Sequence, residues 1–87
     1  MKVQLYALST CPYCRMTRKF LDEHDVAYEV TEVDLLEGEV KDPETPKGAV
    51  AEEVKRLSGG TSFPVLVVDD EVVVGFNKGR MTQLLGL

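Results

Sequence analysis

The sequence predicts a single α/β domain built in the order β-α-β-α-β-β-α, and three observations carry that reading. Residues 2–8 alternate, with Val3, Leu5 and Ala7 on one face and Gln4, Tyr6 and Leu8 on the other, which is the period of a strand. From Pro12 onward the apolar spacing switches to that of a helix. Two valine-rich runs, residues 65–68 and 72–74, stand on either side of Asp69-Asp70-Glu71, the pattern of a hairpin. A chain of 87 residues buries only somewhat more than ~60% of its unfolded surface. One small core, and one domain over residues 1–87, is therefore the expectation.

Each element has its own signal. The first strand, residues 2–8, stops just ahead of Cys11. Over residues 12 to about 24, Tyr13, Met16, Thr17, Phe20 and Leu21 recur at helical spacing, while Arg15, Arg18, Lys19, Asp22 and Glu23 take the remaining positions. Pro12 suits the first helical position, where its missing N–H is no loss and its φ is already helical, and this leaves Cys11 at the N-cap. His24 falls where it caps or flanks the helix C-terminus. Residues 27–33, rich in Val, Tyr and Thr, read as a second strand, joined to the first by a right-handed parallel crossover. Residues 36–47 carry Glu37, Glu39, Lys41, Asp42, Glu44, Gly38 and two prolines and read as an exposed, solvated loop. Thr45-Pro46 opens a second helix with Val50, Val54 and Leu57 as its apolar stripe, and Gly59-Gly60 ends it. After the hairpin, Asn77 caps a short helix whose Met81, Leu84 and Leu85 share a face and which Gly86 terminates; Gly79 weakens its first turn by up to about 1 kcal/mol.

Composition excludes several classes. With 10 Lys and Arg against 15 Asp and Glu, the net charge of −5 argues against nucleic acid and anionic membrane surfaces as partners. Hydrophobic residues at 44% and charged residues at 29% are those of an ordinary globular protein. No apolar run approaches the ~20 residues of a membrane span, and no charged segment followed by a long apolar stretch opens the sequence, so a cytoplasmic, monomeric protein is expected.

The chemistry-bearing feature is Cys11-Pro12-Tyr13-Cys14, which holds both cysteines of the chain. Residues three apart lie one above the other on a helix, so the two sulfurs can come within bonding reach with little chain movement. At the N-cap, Cys11 meets the unpaired N–H groups and the positive end of the helix dipole, which favour its thiolate and make it the nucleophile candidate. Cys14, inside the helix, is the resolving candidate. A static cross-link is the alternative, but so small a loop removes little unfolded-chain entropy. A zinc site wants four ligands, and the chain offers two cysteines and His24 three turns away; no metal is expected.

With these elements in place the chain resembles the glutaredoxin branch of the thioredoxin-like fold. The resemblance rests on Cys11-Pro12-Tyr13-Cys14 after the first strand, Ser62-Phe63-Pro64 opening the third, and Gly75-Phe76-Asn77 opening the last helix, and it spans nearly the whole chain. It implies a four-stranded mixed sheet with helices on both faces. It also implies a cis peptide bond at Pro64, and a groove for substrate or glutathione bordered by Tyr13, Ser62, Phe63, Pro64, Gly75, Phe76 and Asn77. The activity implied is thiol–disulfide exchange on disulfide-containing proteins or mixed disulfides, with no tightly bound cofactor and with glutathione as candidate electron donor.

Two departures from the family bear on that donor. The family commonly has Lys or Arg at the position of Leu8, where the cation helps bind a glutathione carboxylate. Its Gly-Gly followed by Cys or Ser and two aspartates, which receives the γ-glutamyl end, aligns here with Val74-Gly75-Phe76-Asn77-Lys78. The Gly75-Phe76 start of the last helix is similar instead to glutaredoxin-like redoxins that serve ribonucleotide reductase and take electrons from thioredoxin reductase, which makes that reductase the alternative donor. A third reading is an iron–sulfur carrier, because some glutaredoxins hold a cluster between two protomers. Pro12 and the altered glutathione groove count against it.

Overall fold

In the computed structural model, which describes residues 1–60 and 62–87, the alternating N-terminal segment is strand β1 (Val3–Ala7). Helix α1 (Pro12–Glu23), strand β2 (Glu29–Glu32) and a single 3-10 turn (Val33–Leu35) follow. The second half is helix α2 (Pro46–Ser58), strands β3 (Val65–Val68) and β4 (Glu71–Val74), and helix α3 (Lys78–Leu85). The strands form one mixed sheet in the order β2-β1-β3-β4. β1 runs parallel to β2, with Gln4 opposite Glu29, and antiparallel to β3, with Val3 opposite Val68. β3 and β4 pair antiparallel as a hairpin.

Helices cover both faces of the sheet, which is why all four residues of β3 are buried. On one face Val3, Leu5 and Ala7 of β1 meet Cys14, Phe20 and Leu21 of α1 and Met81 and Leu85 of α3. On the other, Val65 and Val67 meet Val54 of α2 and Val33, with Tyr6, Leu8, Val50 and Leu57 packed around them. The second face of the β1 alternation, Gln4, Tyr6 and Leu8, is thus half-buried under α2.

The second strand is shorter than the sequence pattern. Residues 27–33 were expected; Ala27 is exposed outside the strand, and Val33 begins the 3-10 turn, closed by the Leu36 amide donating to the Val33 carbonyl at 3.3 Å. Tertiary burial decides this, because the turn carries Val33 into the second core cluster. The hairpin turn is also tighter than three residues. Glu71 pairs with Val68, and Asp69 takes a left-handed φ of 53°, a conformation Asp tolerates better than most residues. The Lys2 amide donates to the Asp69 carboxylate at 2.8 Å, which ties the turn to the start of β1.

The caps follow the residues that announce them. The Thr45 hydroxyl accepts from the Gly48 amide and Asn77 Oδ1 from the Arg80 amide, while Gly59 and Gly86 close α2 and α3 in the left-handed region. α1 ends differently. Beyond the cap residue His24, Asp25 adopts φ 54°, and the Asp25 and Val26 amides donate back to the Asp22 and Leu21 carbonyls. This is a Schellman closure with aspartate where glycine is usual.

Candidate active site at the start of the first helix

β1 delivers the chain to the start of α1, and a short loop fixes its last step. The Ser9 amide donates to Asp34 Oδ1 at 2.9 Å, and its hydroxyl donates to Asp34 Oδ2. The Asp34 carboxyl is held below its ordinary range chiefly by these Ser9 hydrogen bonds, with Lys47 adding a smaller electrostatic contribution. The Cys11 amide then donates to the Leu8 carbonyl at 3.2 Å. Sequence reasoning passed over Ser9 and Asp34. Their signal lies in the parallel register: Ala7 pairs with Glu32, so two residues further along each chain Ser9 and Asp34 face each other.

Cys11 occupies the N-cap with extended backbone, φ −82° and ψ 120°, and Pro12 is the first helical residue. The Cys11 sulfur accepts a hydrogen bond from the Cys14 amide at 3.4 Å, the capping interaction an oxygen usually makes. Both cysteines are free thiols: Cys11 is half-buried, whereas Cys14 is 1% exposed within the core cluster under α1. Burial, followed by hydrogen bonding to Cys11 and the charge of Cys11, pushes the Cys14 thiol up to about 12, with the Leu8 backbone opposing the shift. The pair is therefore asymmetric, with one half-buried sulfur capping the helix N-terminus and one buried sulfur held protonated a turn further on.

The other sequence-selected residues sit as follows. Tyr13 is 60% exposed on the first turn of α1. Phe63 is half-buried against both core clusters, Pro64 is buried, and the peptide bond between them is cis. The Gly75 amide donates to the Pro64 carbonyl at 2.8 Å, which brings the start of β3 beside the end of β4. Phe76 packs on the same cluster as Cys11 and meets Phe20 edge to face, with ring centroids 6.4 Å apart. Ser62 is exposed. Asn77 uses its side-chain oxygen to cap α3.

The two departures from the family separate. Lys78 is exposed, as its place in the sequence suggests. Leu8 is not a rim position, because it packs into the second core cluster and lines, with Val33, Val40, Val54 and Phe63, an apolar cleft of about 310 Å³ edged by Asp34 and Lys47. Among the described residues, no group of three or more His, Cys, Asp or Glu side chains is arranged to hold a metal ion, and no helix is long and apolar enough to cross a membrane.

The glutaredoxin family model matches residues 3–73. The chain belongs to the glutaredoxin family. The solved glutaredoxin of Archaeoglobus fulgidus is 39% identical and superimposes with a TM-score of 0.86, covering 97% of this chain and 85% of that one. Glutaredoxin 1 of Rickettsia prowazekii is 32% identical, over 93% of this chain and 83% of its own. The glutaredoxin-like protein NrdH of Lactococcus lactis is 28% identical, over 94% and 97%. The four-stranded mixed sheet and the element order are those of the thioredoxin-like glutaredoxin fold. Family membership makes the chain a thiol–disulfide oxidoreductase in the broad sense, with disulfide-bearing molecules as its redox partners.

Proposed function

We propose that this glutaredoxin reduces protein disulfides and mixed disulfides by dithiol exchange, with Cys11 as nucleophile and Cys14 as resolving thiol. The supporting observation is the asymmetry of the pair: Cys11 at the helix N-cap, its sulfur receiving the Cys14 amide at 3.4 Å, and Cys14 buried one turn on. The Cys11 thiolate attacks one sulfur of the substrate disulfide. The substrate S–S bond breaks, one substrate sulfur leaves as a thiolate that takes a proton from solvent, and a mixed disulfide to Cys11 remains. Two of the influences that keep Cys14 protonated come from Cys11 itself. They vanish once the Cys11 sulfur is tied up and uncharged, so Cys14 becomes easier to ionise when its attack is needed. Cys14 gives its proton to solvent, attacks Cys11, and releases the second substrate sulfur. The substrate gains two electrons and the protein ends with a Cys11–Cys14 disulfide.

Glutathione is the donor the family suggests, and thioredoxin reductase is the second reading. Lys78 favours the second, because an exposed cation stands where the glutathione amine would need an acid. Leu8 supports it too, since a packed apolar side chain offers a carboxylate nothing.

The test of the mechanism is a pair of variants. Cys11→Ser abolishes all exchange, whereas Cys14→Ser still forms a mixed disulfide with a small disulfide, read by mass spectrometry, and loses reduction of protein disulfides. Equal loss of mixed-disulfide formation in both would sink the assignment. NADPH turnover with glutathione and glutathione reductase, compared with thioredoxin reductase alone, decides the donor.

A further inference from the structure

The charges of this acidic chain are sorted by position. All fifteen Asp and Glu fall between Asp22 and Glu71, while six of the ten cations lie outside that stretch: Lys2 ahead of β1, Arg15, Arg18 and Lys19 on α1, and Lys78 and Arg80 on α3. Both helices pack on one face of the sheet through a shared core cluster that Cys11 also joins, and Phe20 of α1 meets Phe76, two residues ahead of α3. Three of the cations reach acids: Arg18 to Glu32 at 2.7 Å, Lys19 to Glu23 at 3.8 Å and Arg80 to Glu71 at 3.3 Å. Arg15 and Lys78 are exposed and make no salt bridge among the described residues. Arg15 is one helical turn beyond Cys11, its amide donating to the Cys11 carbonyl at 3.2 Å. Lys78 begins α3, where with Met16, Lys19, Phe20, Phe76 and Glu23 it borders a shallow cleft of about 290 Å³; Glu23, the one acid of that lining, is paired with Lys19.

The same face carries exposed apolar surface. Tyr13 is 60% and Met16 45% exposed, and at positions three apart on α1 they form one strip. Aromatic residues, Met and Arg are the types enriched at protein interfaces.

We infer that the α1–α3 face is a docking surface for a protein whose reducible disulfide is flanked by Asp or Glu. This rests on the dithiol reading above and adds the chemistry of the partner. The partner's acids meet Arg15 and Lys78 while its apolar neighbours cover Tyr13 and Met16, which presents the disulfide to Cys11. An acidic chain needs such a face: its net charge of −5 would otherwise repel an acidic partner, whereas a local positive field raises the population of correctly oriented encounters.

The test uses three disulfide-linked peptides, identical except that the cystine is flanked by two Asp, two Ser or two Lys. Each oxidises the reduced protein in a single turnover, the protein dithiol becoming a disulfide and the peptide two thiols, followed by thiol titration. Reaction of each peptide with dithiothreitol supplies its intrinsic reactivity. After that correction the Asp peptide reacts at least tenfold faster than the Lys peptide at low salt, and the gap closes several-fold in ~0.5 M salt, where the Debye length shrinks below 5 Å. Arg15→Gln with Lys78→Gln cuts the preference at least threefold. Lys55→Gln with Arg56→Gln, which removes the same charge from α2, leaves it in place. Equal corrected rates, a preference for the Lys peptide, or a preference that survives the Arg15/Lys78 change would overturn the inference. Failure of the Ser peptide to react at all would instead remove the dithiol reading beneath it.

Discussion

At the scale of single residues, the Cys14 proton links the site to the stability of the molecule. In the unfolded chain the thiol titrates near its ordinary 9.0, and in the fold burial and Cys11 hold it to about 12. Between those values the folded state binds more protons than the unfolded one, so this contribution is complete below pH 9 and is lost as pH rises. The stability difference between the parent and Cys14→Ala should therefore narrow from pH 8 to pH 11, by on the order of 2 kcal/mol, in chemical denaturation. A difference that stays constant across that range would contradict the buried-thiol account. The placement of Cys11 at the N-cap and of Cys14 one turn inside α1 was legible in the sequence because Pro12 and a three-residue spacing are local facts. Ser9 with Asp34, and the packing of Leu8, were not. Both depend on what the neighbouring strand and α2 bring against them, which no local pattern carries.

At the scale of elements, the helix ends were legible where a dedicated residue marks them, as Thr45, Asn77, Gly59 and Gly86 do. The end of α1 was legible only as a stop near His24. Its closing left-handed residue is Asp25, and an aspartate in a run of charged residues announces no particular backbone angle. That choice leaves stability unused, since glycine adopts the same angle without steric cost. Asp25→Gly should stabilise the protein by about 0.5–1 kcal/mol, seen as a rise in thermal midpoint of several degrees. A fall in the midpoint would mean that the Asp25 side chain contributes more than its backbone costs. β2 was overestimated for a related reason: valine and threonine fit a strand equally well inside and beyond its end, and only the burial of Val33 beneath α2 fixes where pairing stops.

At the scale of the whole molecule, the order of elements and the two-faced sheet were readable because hydrophobic periodicity changes sharply from element to element. The distribution of charge was equally open to the sequence, but its meaning was not, since only the fold shows that α1 and α3 adjoin beside Cys11. The edge of the sheet governs how the protein behaves in concentrated solution. β2 lies at its rim, only four residues long, with Glu29 and Glu32 at its two ends and Val30 39% exposed between them. Its outer N–H and C=O groups form a template for a strand from another molecule, and two such rims brought together would set like charges against each other. Glu32 is already paired with Arg18, so Glu29 is the acid that guards this rim against self-association. Glu29→Thr should leave the monomer folded by circular dichroism yet raise light scattering at millimolar concentration, while the parent stays clear. Glu29, unpaired among the described residues, thus keeps separate molecules from extending one another's sheets.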